Sequence, residues 1–178
     1  KEHMKHRQDP EQGILDLQMD RIGIRGQVRE SIGTEQAGTN CKIILVGAED
    51  IPHIWEKVIP HVKAAGLHSE GELTPEDFFE ILMKDDMQLW VAVENGELLA
   101  SMITQIIPYP RKQVLRIISI GGDEMERWIK FLPIVENWAL MVGCTSLECW
   151  GRKGWLKILR DWKCSYHIIT KDLTHRMH

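Results

Sequence analysis

The pattern of apolar and polar positions divides the chain near residue 40. Residues 1–40 are rich in Gln, Gly and charges of both signs, with glycines at 13, 23, 26, 33 and 38. Within them, Ile14 to Ile22 has the spacing of a short amphipathic helix that Gly23 and Gly26 would stop. Such a segment buries too little apolar surface to offset its own ordering entropy. The expectation is an extended arm, either flexible or folded onto a partner.

From Cys41 the texture changes. Cys41–Val46 is a short β-branched run ended by Gly47 and predicts a buried strand. Asp50 is placed to cap a helix with Pro52 in its first turn, and Ile54, Trp55, Val58, Ile59 and Val62 mark its buried face. Pro60 predicts a kink or break there. After a polar loop, Thr74-Pro75-Glu76-Asp77 opens a second helix, with Thr as cap and Asp at the third position. Leu89–Val93 and Leu98–Ile103 then flank Glu94-Asn95-Gly96-Glu97, a hairpin whose Asn-Gly suits a type I′ turn.

A further strand, Val114–Ile120, follows the Pro108-Tyr109-Pro110 loop and ends at Gly121-Gly122. A long helix is predicted over 123–142, kinked at Pro133 and stopped by Gly143. Strand Leu147–Trp150, the turn Gly151-Arg152-Lys153-Gly154, helix Trp155–Trp162 and strand Tyr166–Thr170 complete the chain. The order β-α-α-β-β-β-α-β-α-β is α+β with a mixed, mostly antiparallel sheet flanked by helices, without internal repeats.

Composition refines this picture without redirecting it. The 178 residues, 43% hydrophobic and 27% charged, suit one domain and a tail. A net charge of -4 argues against a general nucleic-acid binder, so no nucleic-acid partner is expected of the free domain, although the local clusters Arg111-Lys112-Arg116 and Lys157-Arg160-Lys163 remain open as solvated faces or as protein or nucleic-acid contacts within an assembly. No apolar run approaches the roughly 18–20 residues that span a bilayer, and no charged-then-apolar leader is seen. The expected setting is a cytosol-like compartment, with no membrane contact. The first residue is Lys1, which leaves open a fragment or a processed product. Cys41, Cys144, Cys149 and Cys164 form no CxxC pair and no zinc spacing, so reduced thiols are expected. Of the seven tryptophans, Trp55, Trp90, Trp128, Trp138 and Trp155 fall at core positions, while Trp150 and Trp162 are candidates for a groove.

The order of elements resembles that of the GNAT superfamily of acyl-CoA N-acyltransferases over about residues 41–173. The stretch Leu89–Ala100 resembles the hairpin of its second and third strands. Glu136-Asn137-Trp138-Ala139 with Gly143-Cys144 resembles the end of the helix before its fifth strand. Gly151-Arg152-Lys153-Gly154-Trp155 looks like a turn met in small acyltransferase-like proteins of tailed phages and prophages. The resemblance implies one GNAT-like domain over 41–178, preceded by the arm.

It also implies an acetyl-CoA or other acyl-CoA cofactor if the domain is active. Family members hold the cofactor pyrophosphate on an Arg/Gln-x-x-Gly-x-Gly/Ala loop after strand four, through backbone N–H groups at a helix start. The equivalent stretch here is Ile120-Gly121-Gly122-Asp123-Glu124, where the glycine pair survives but two carboxylates stand where phosphates should lie. The cofactor-binding expectation is therefore Ile118 and Ile120 for strand amides, Gly121 and Gly122 for the loop, and Arg152 and Gly154 for an anion-binding turn. Arg152 and Leu159 stand near the family's Asn and Tyr positions, so the catalytic residues stay unassigned. Glu94, Glu148, His53, His61 and His68 are the candidate general bases. Two functions follow: acyl transfer to an amine with a degenerate pyrophosphate loop, or a catalytically silent structural domain of a phage particle. The second would use residues 1–40 for protein partners or self-assembly.

Overall fold

The computed structural model describes residues 41–67, 71–151, 153–166 and 168–171. The arm expected at 1–40, the candidate base His68 and the anion-binding candidate Arg152 lie outside these residues. Strands β1 (Cys41–Val46), β2 (Gln88–Glu94), β3 (Glu97–Tyr109), β4 (Lys112–Gly122) and β5 (Ser146–Cys149) form one sheet in the order β1-β2-β3-β4-β5. The first four pair antiparallel and β5 joins β4 in parallel. Between β1 and β2 lie helices α1 (Ile51–Gly66) and α2 (Pro75–Met83).

Period-two alternation divides the strand residues between two layers. Leu89 and Val91 of β2 and Ile103 of β3 meet Ile54, Val58 and Leu82 of α1 and α2 on one face. Trp90, Met102, Leu115 and Ile117 meet Leu132 and Val135 on the other. The indole Nε1 of Trp90 donates to Thr104 Oγ1 at 3.0 Å, and that hydroxyl donates to Gln88 Oε1 at 3.0 Å. Trp90 therefore fills the core without an unsatisfied donor, and its ring meets Trp138 edge-on with centroids 5.1 Å apart. Asn95 and Gly96 both adopt positive φ, 51° and 82°, as a type I′ hairpin requires. Thr74 and Asp77 form the reciprocal capping box.

Several expectations are corrected. Asp50 stands at the N-cap of α1, but its side chain makes no cap hydrogen bond. Helix α1 runs unbroken through Pro60 because packing of its buried face outweighs the lost backbone bond. The long helix at 123–142 is instead α3 (Met125–Trp128), a 3-10 turn (Ile129–Phe131) and α4 (Leu132–Met141). Pro133 falls in the first turn of α4, where its missing N–H has no consequence. The last helix reduces to a 3-10 turn, Lys153–Lys157, and the described residues of Tyr166–Thr170 belong to no strand. Trp162 packs against the Trp90 layer instead of lining a groove. All four cysteines are free thiols. Among the described residues no helix is long and apolar enough to cross a membrane.

The glycines that end β4 are fixed by close approach. A Cβ on Gly121 would lie 2.3 Å from the His61 carbonyl oxygen of α1. One on Gly122, whose φ is +149°, would lie 2.4 Å from Ala100 Cβ. We expect Gly121→Ala to lower stability by about 1–3 kcal/mol in denaturant titration, since α1 must move off the sheet. Trp90→Phe should cost about 1–3 kcal/mol by removing the donor to Thr104 along with packing, whereas Trp150→Phe at the exposed end of β5 should stay within about 0.5 kcal/mol. Equal stability of the two tryptophan variants would contradict the account.

Candidate functional site

β4 has two unlike halves. Its first half is paired on both sides: with β3, and with β5 through Val114↔Ser146, Leu115↔Leu147, Arg116↔Glu148 and Ile117↔Cys149. Beyond that last pair β4 continues to Gly122 with only β3 beside it among the described residues. The two parallel strands thus separate, and the β5 side of Ile118–Gly122 is an unpaired backbone edge.

A bulge falls at the same place. Ile103 pairs with Ser119 but Thr104 pairs with Ile117, so Ile118 is an extra residue in β4. The extra residue reverses the alternation: Ile117 packs toward α4, Ile118 toward α1, and Ile120 again toward α4. A bulge leaves a ladder amide unpaired and re-aims the backbone, here at the mouth of the opening. Ile118 and Ile120, predicted to offer strand amides, both lie on this edge.

The turn after β4 is arranged differently from the sequence expectation. Gly121 and Gly122 answer to the packing just described, independent of any ligand. The Asp123 N–H donates to Leu99 O at 2.9 Å, and the Asp123 carbonyl accepts from Trp128 Nε1 at 3.0 Å. Glu124 takes a left-handed conformation, φ 47°, and its carbonyl accepts from the Arg127 N–H at 2.8 Å. Arg127 also binds two carboxylates: its Nη1 meets Glu124 Oε2 at 2.5 Å and its Nη2 meets Glu94 Oε2. Glu94 is only 6% exposed, and its Oε1 has no partner among the described residues. The start of α3 thus carries the chain's own carboxylates, the Asp123 amide before it is already bound to Leu99, and α3 is a single four-residue turn. These residues do not fit a pyrophosphate.

The structure separates the candidate bases. Glu94 is locked to Arg127 at the β1–β2 end, facing Cys41 in the register. His53 lies exposed near the start of α1. His61 lies with its backbone against Gly121 where α1 covers the sheet face, and its half-buried side chain has Nδ1 unpartnered among the described residues. Burial holds its imidazole below the usual histidine range, against a smaller opposing pull from the Asp123 carboxylate, so the neutral form is favoured. Glu148 stands at the base of the opening, where Arg116 Nε holds its Oε1 at 2.5 Å. Gly154 lies exposed in the 3-10 turn after β5 with open space around its Cα. The structure therefore places Ile118, Ile120 and Gly121 on one strand edge with the His61 backbone against Gly121, and holds Glu148 apart, on Arg116 in the paired half of β4. The Glu94–Arg127 clasp was not foreseen; its Glu124–Arg127 arm has readable i,i+3 spacing, but Glu94 meets them only through the sheet register.

No family model and no curated protein matches the sequence. Solved structures do match the fold. A ribosomal-protein-alanine N-acetyltransferase from Brucella melitensis biovar Abortus aligns at 14% identity with a TM-score of 0.57, covering 74% of this chain and 98% of that one. A GNAT family acetyltransferase from Staphylococcus aureus aligns at 12% identity and 0.56, covering 75% and 98%. A predicted acetyltransferase with acetyl-CoA from Clostridium acetobutylicum gives 13% and 0.58, covering 78% and 99%. With five strands in a mostly antiparallel sheet whose last strand, β5, runs parallel to β4 and parts from it, the chain has the fold of the GNAT acetyltransferases.

Proposed function

We propose that the domain binds an acyl-CoA along the unpaired edge of β4 and passes its acyl group to an amine. The observation that supports this most is the parting of β4 from β5 after Ile117 and Cys149, beside the bulge at Ile118. An acyl-CoA bound there supplies an activated thioester carbonyl. The backbone amides of Ile118–Ile120 would hold that carbonyl oxygen and stabilise the negative charge it gains under attack. The walls formed by β4 and the end of β5 would hold the amine close and exclude water. His61, whose backbone lies against Gly121 and whose imidazole burial keeps neutral, would accept the amine proton; the C–S bond then breaks, and the departing CoA thiolate takes up a proton from the imidazolium or from water.

The pyrophosphate has no such place. Asp123 and Glu124 would repel it, and the Asp123 amide is spent on Leu99. Binding therefore rests on the amide-bearing arm, which a strand edge recognises through main-chain hydrogen bonds.

A second reading, favoured by the Glu94–Arg127–Glu124 clasp, is a catalytically silent domain with a structural or assembly role. The likeness of the Gly151–Trp155 turn to tailed-phage proteins points to a particle component that recruits partners or further copies through residues 1–40.

Isothermal titration calorimetry separates the two. Under the first reading acetyl-CoA binds, and acetyl-pantetheine, which lacks the pyrophosphate, binds within about tenfold of it, a difference of about 1.4 kcal/mol. Silence of both ligands at millimolar concentration contradicts acyl transfer and leaves assembly, which would then be lost on removing residues 1–40.

A further inference from the structure

We infer that the sheet face at the β3–β4 hairpin end is a stacking site for single-stranded nucleic acid, independent of the acyl-transfer reading. Tyr109 pairs with Lys112 across the hairpin, and Arg116 pairs with Glu148 across β4 and β5. Directly paired residues share a face, and every second residue along a strand returns to it, so Tyr109, Lys112, Arg116 and Glu148 lie together. Trp150, two residues beyond Glu148, joins them, since the Arg116 guanidinium lies 4.2 Å from its ring centroid. This is the face opposite Leu115, Ile117 and α4.

The contacts form one connected platform. Arg116 Nη2 donates to Tyr109 Oη at 3.2 Å, while its Nε holds Glu148. The Lys112 ammonium stands 5.6 Å from the Tyr109 ring centroid. Arg116, fixed by three partners, presses on one face of the Trp150 indole, yet Trp150 stays 65% exposed and Tyr109 42% exposed. Two large rings held in place and left open to water indicate a surface that receives flat partners.

Charge selects the partner. Arg111, Lys112 and Arg116 outnumber Glu148, so this patch is positive in a chain of net charge -4. That overall charge argues against coating a duplex but not against a local site. Bases supply flat faces for the rings, with guanidinium and ammonium reinforcing the stacking, and phosphates supply the negative charge. An acidic peptide would satisfy the cations but leave the rings unmatched.

Fluorescence anisotropy with a labelled oligothymidylate of about twelve nucleotides, at about 50 mM salt, tests the inference. The full chain should bind with a Kd of roughly 1–100 µM. Trp150→Ala should weaken binding about 5- to 100-fold, and Trp150→Phe should restore most of it. Arg111→Glu with Lys112→Glu, both at the exposed hairpin tip, should weaken binding and make the salt dependence shallower by roughly 1.4, about 0.7 for each phosphate that is no longer neutralised. Circular dichroism melts of each variant verify that the fold is retained. Absence of binding, indifference to Trp150→Ala in a folded variant, or equal competition by poly-glutamate overturns the inference, the last in favour of an acidic protein partner.

Discussion

The architecture depends on β4 having a partner on one side for its whole length and on the other for only part of it. β5 can pair with β4 over four residues, and the bulge at Ile118 comes where that pairing stops. Backbone N–H and C=O groups that lose a strand must find water or a ligand. On the α1 side the same half-strand is packed tightly, since Gly121 lies against the His61 carbonyl. β3 closes one edge of this half-strand and α1 covers its face, while among the described residues the edge toward β5 is left unpaired.

The turn after β4 carries a second constraint. The turn after β4 must pass from the sheet into α3, and it does so through Gly122 and a left-handed Glu124. Arg127 then draws Glu124 and the nearly buried Glu94 together. Leaving Glu94 without its guanidinium would strand a carboxylate in the interior, which is strongly destabilising. The clasp therefore holds the short helix to β2, and it puts negative charge where an anionic cofactor would need the opposite. Acyl transfer and assembly make contrary use of this feature: the first must work around it, the second has no need of an open helix end.

The first four strands, α1, α2 and the type I′ hairpin were legible because local signals agreed with tertiary packing. Alternation in Leu89–Val93, the Asn95-Gly96 turn and the Thr74–Asp77 capping box each act over a few residues. Where the sequence misled, the deciding term was long-range. Pro60 is tolerated because Val58 and Val62 bury on either side of it. Tyr166, Ile168 and Ile169 have strand composition but no strand beside them among the described residues. Ile118, Ile120 and Gly121 are candidates from the order of elements and Glu148 and His61 from residue type alone, whereas the bulge and the Arg116–Glu148 pair need the register to be seen.

The account turns on Ile118–Ile120 being the part of the chain that meets an acyl donor. Backbone amide chemical shifts recorded as acetyl-CoA is added to the isotopically labelled protein report this residue by residue. The largest changes should fall on Ile118, Ser119 and Ile120, with Asp123 to Arg127 little moved. A response centred on Asp123 to Arg127, or none at Ile118–Ile120, would contradict the placement of the donor on the open edge of β4.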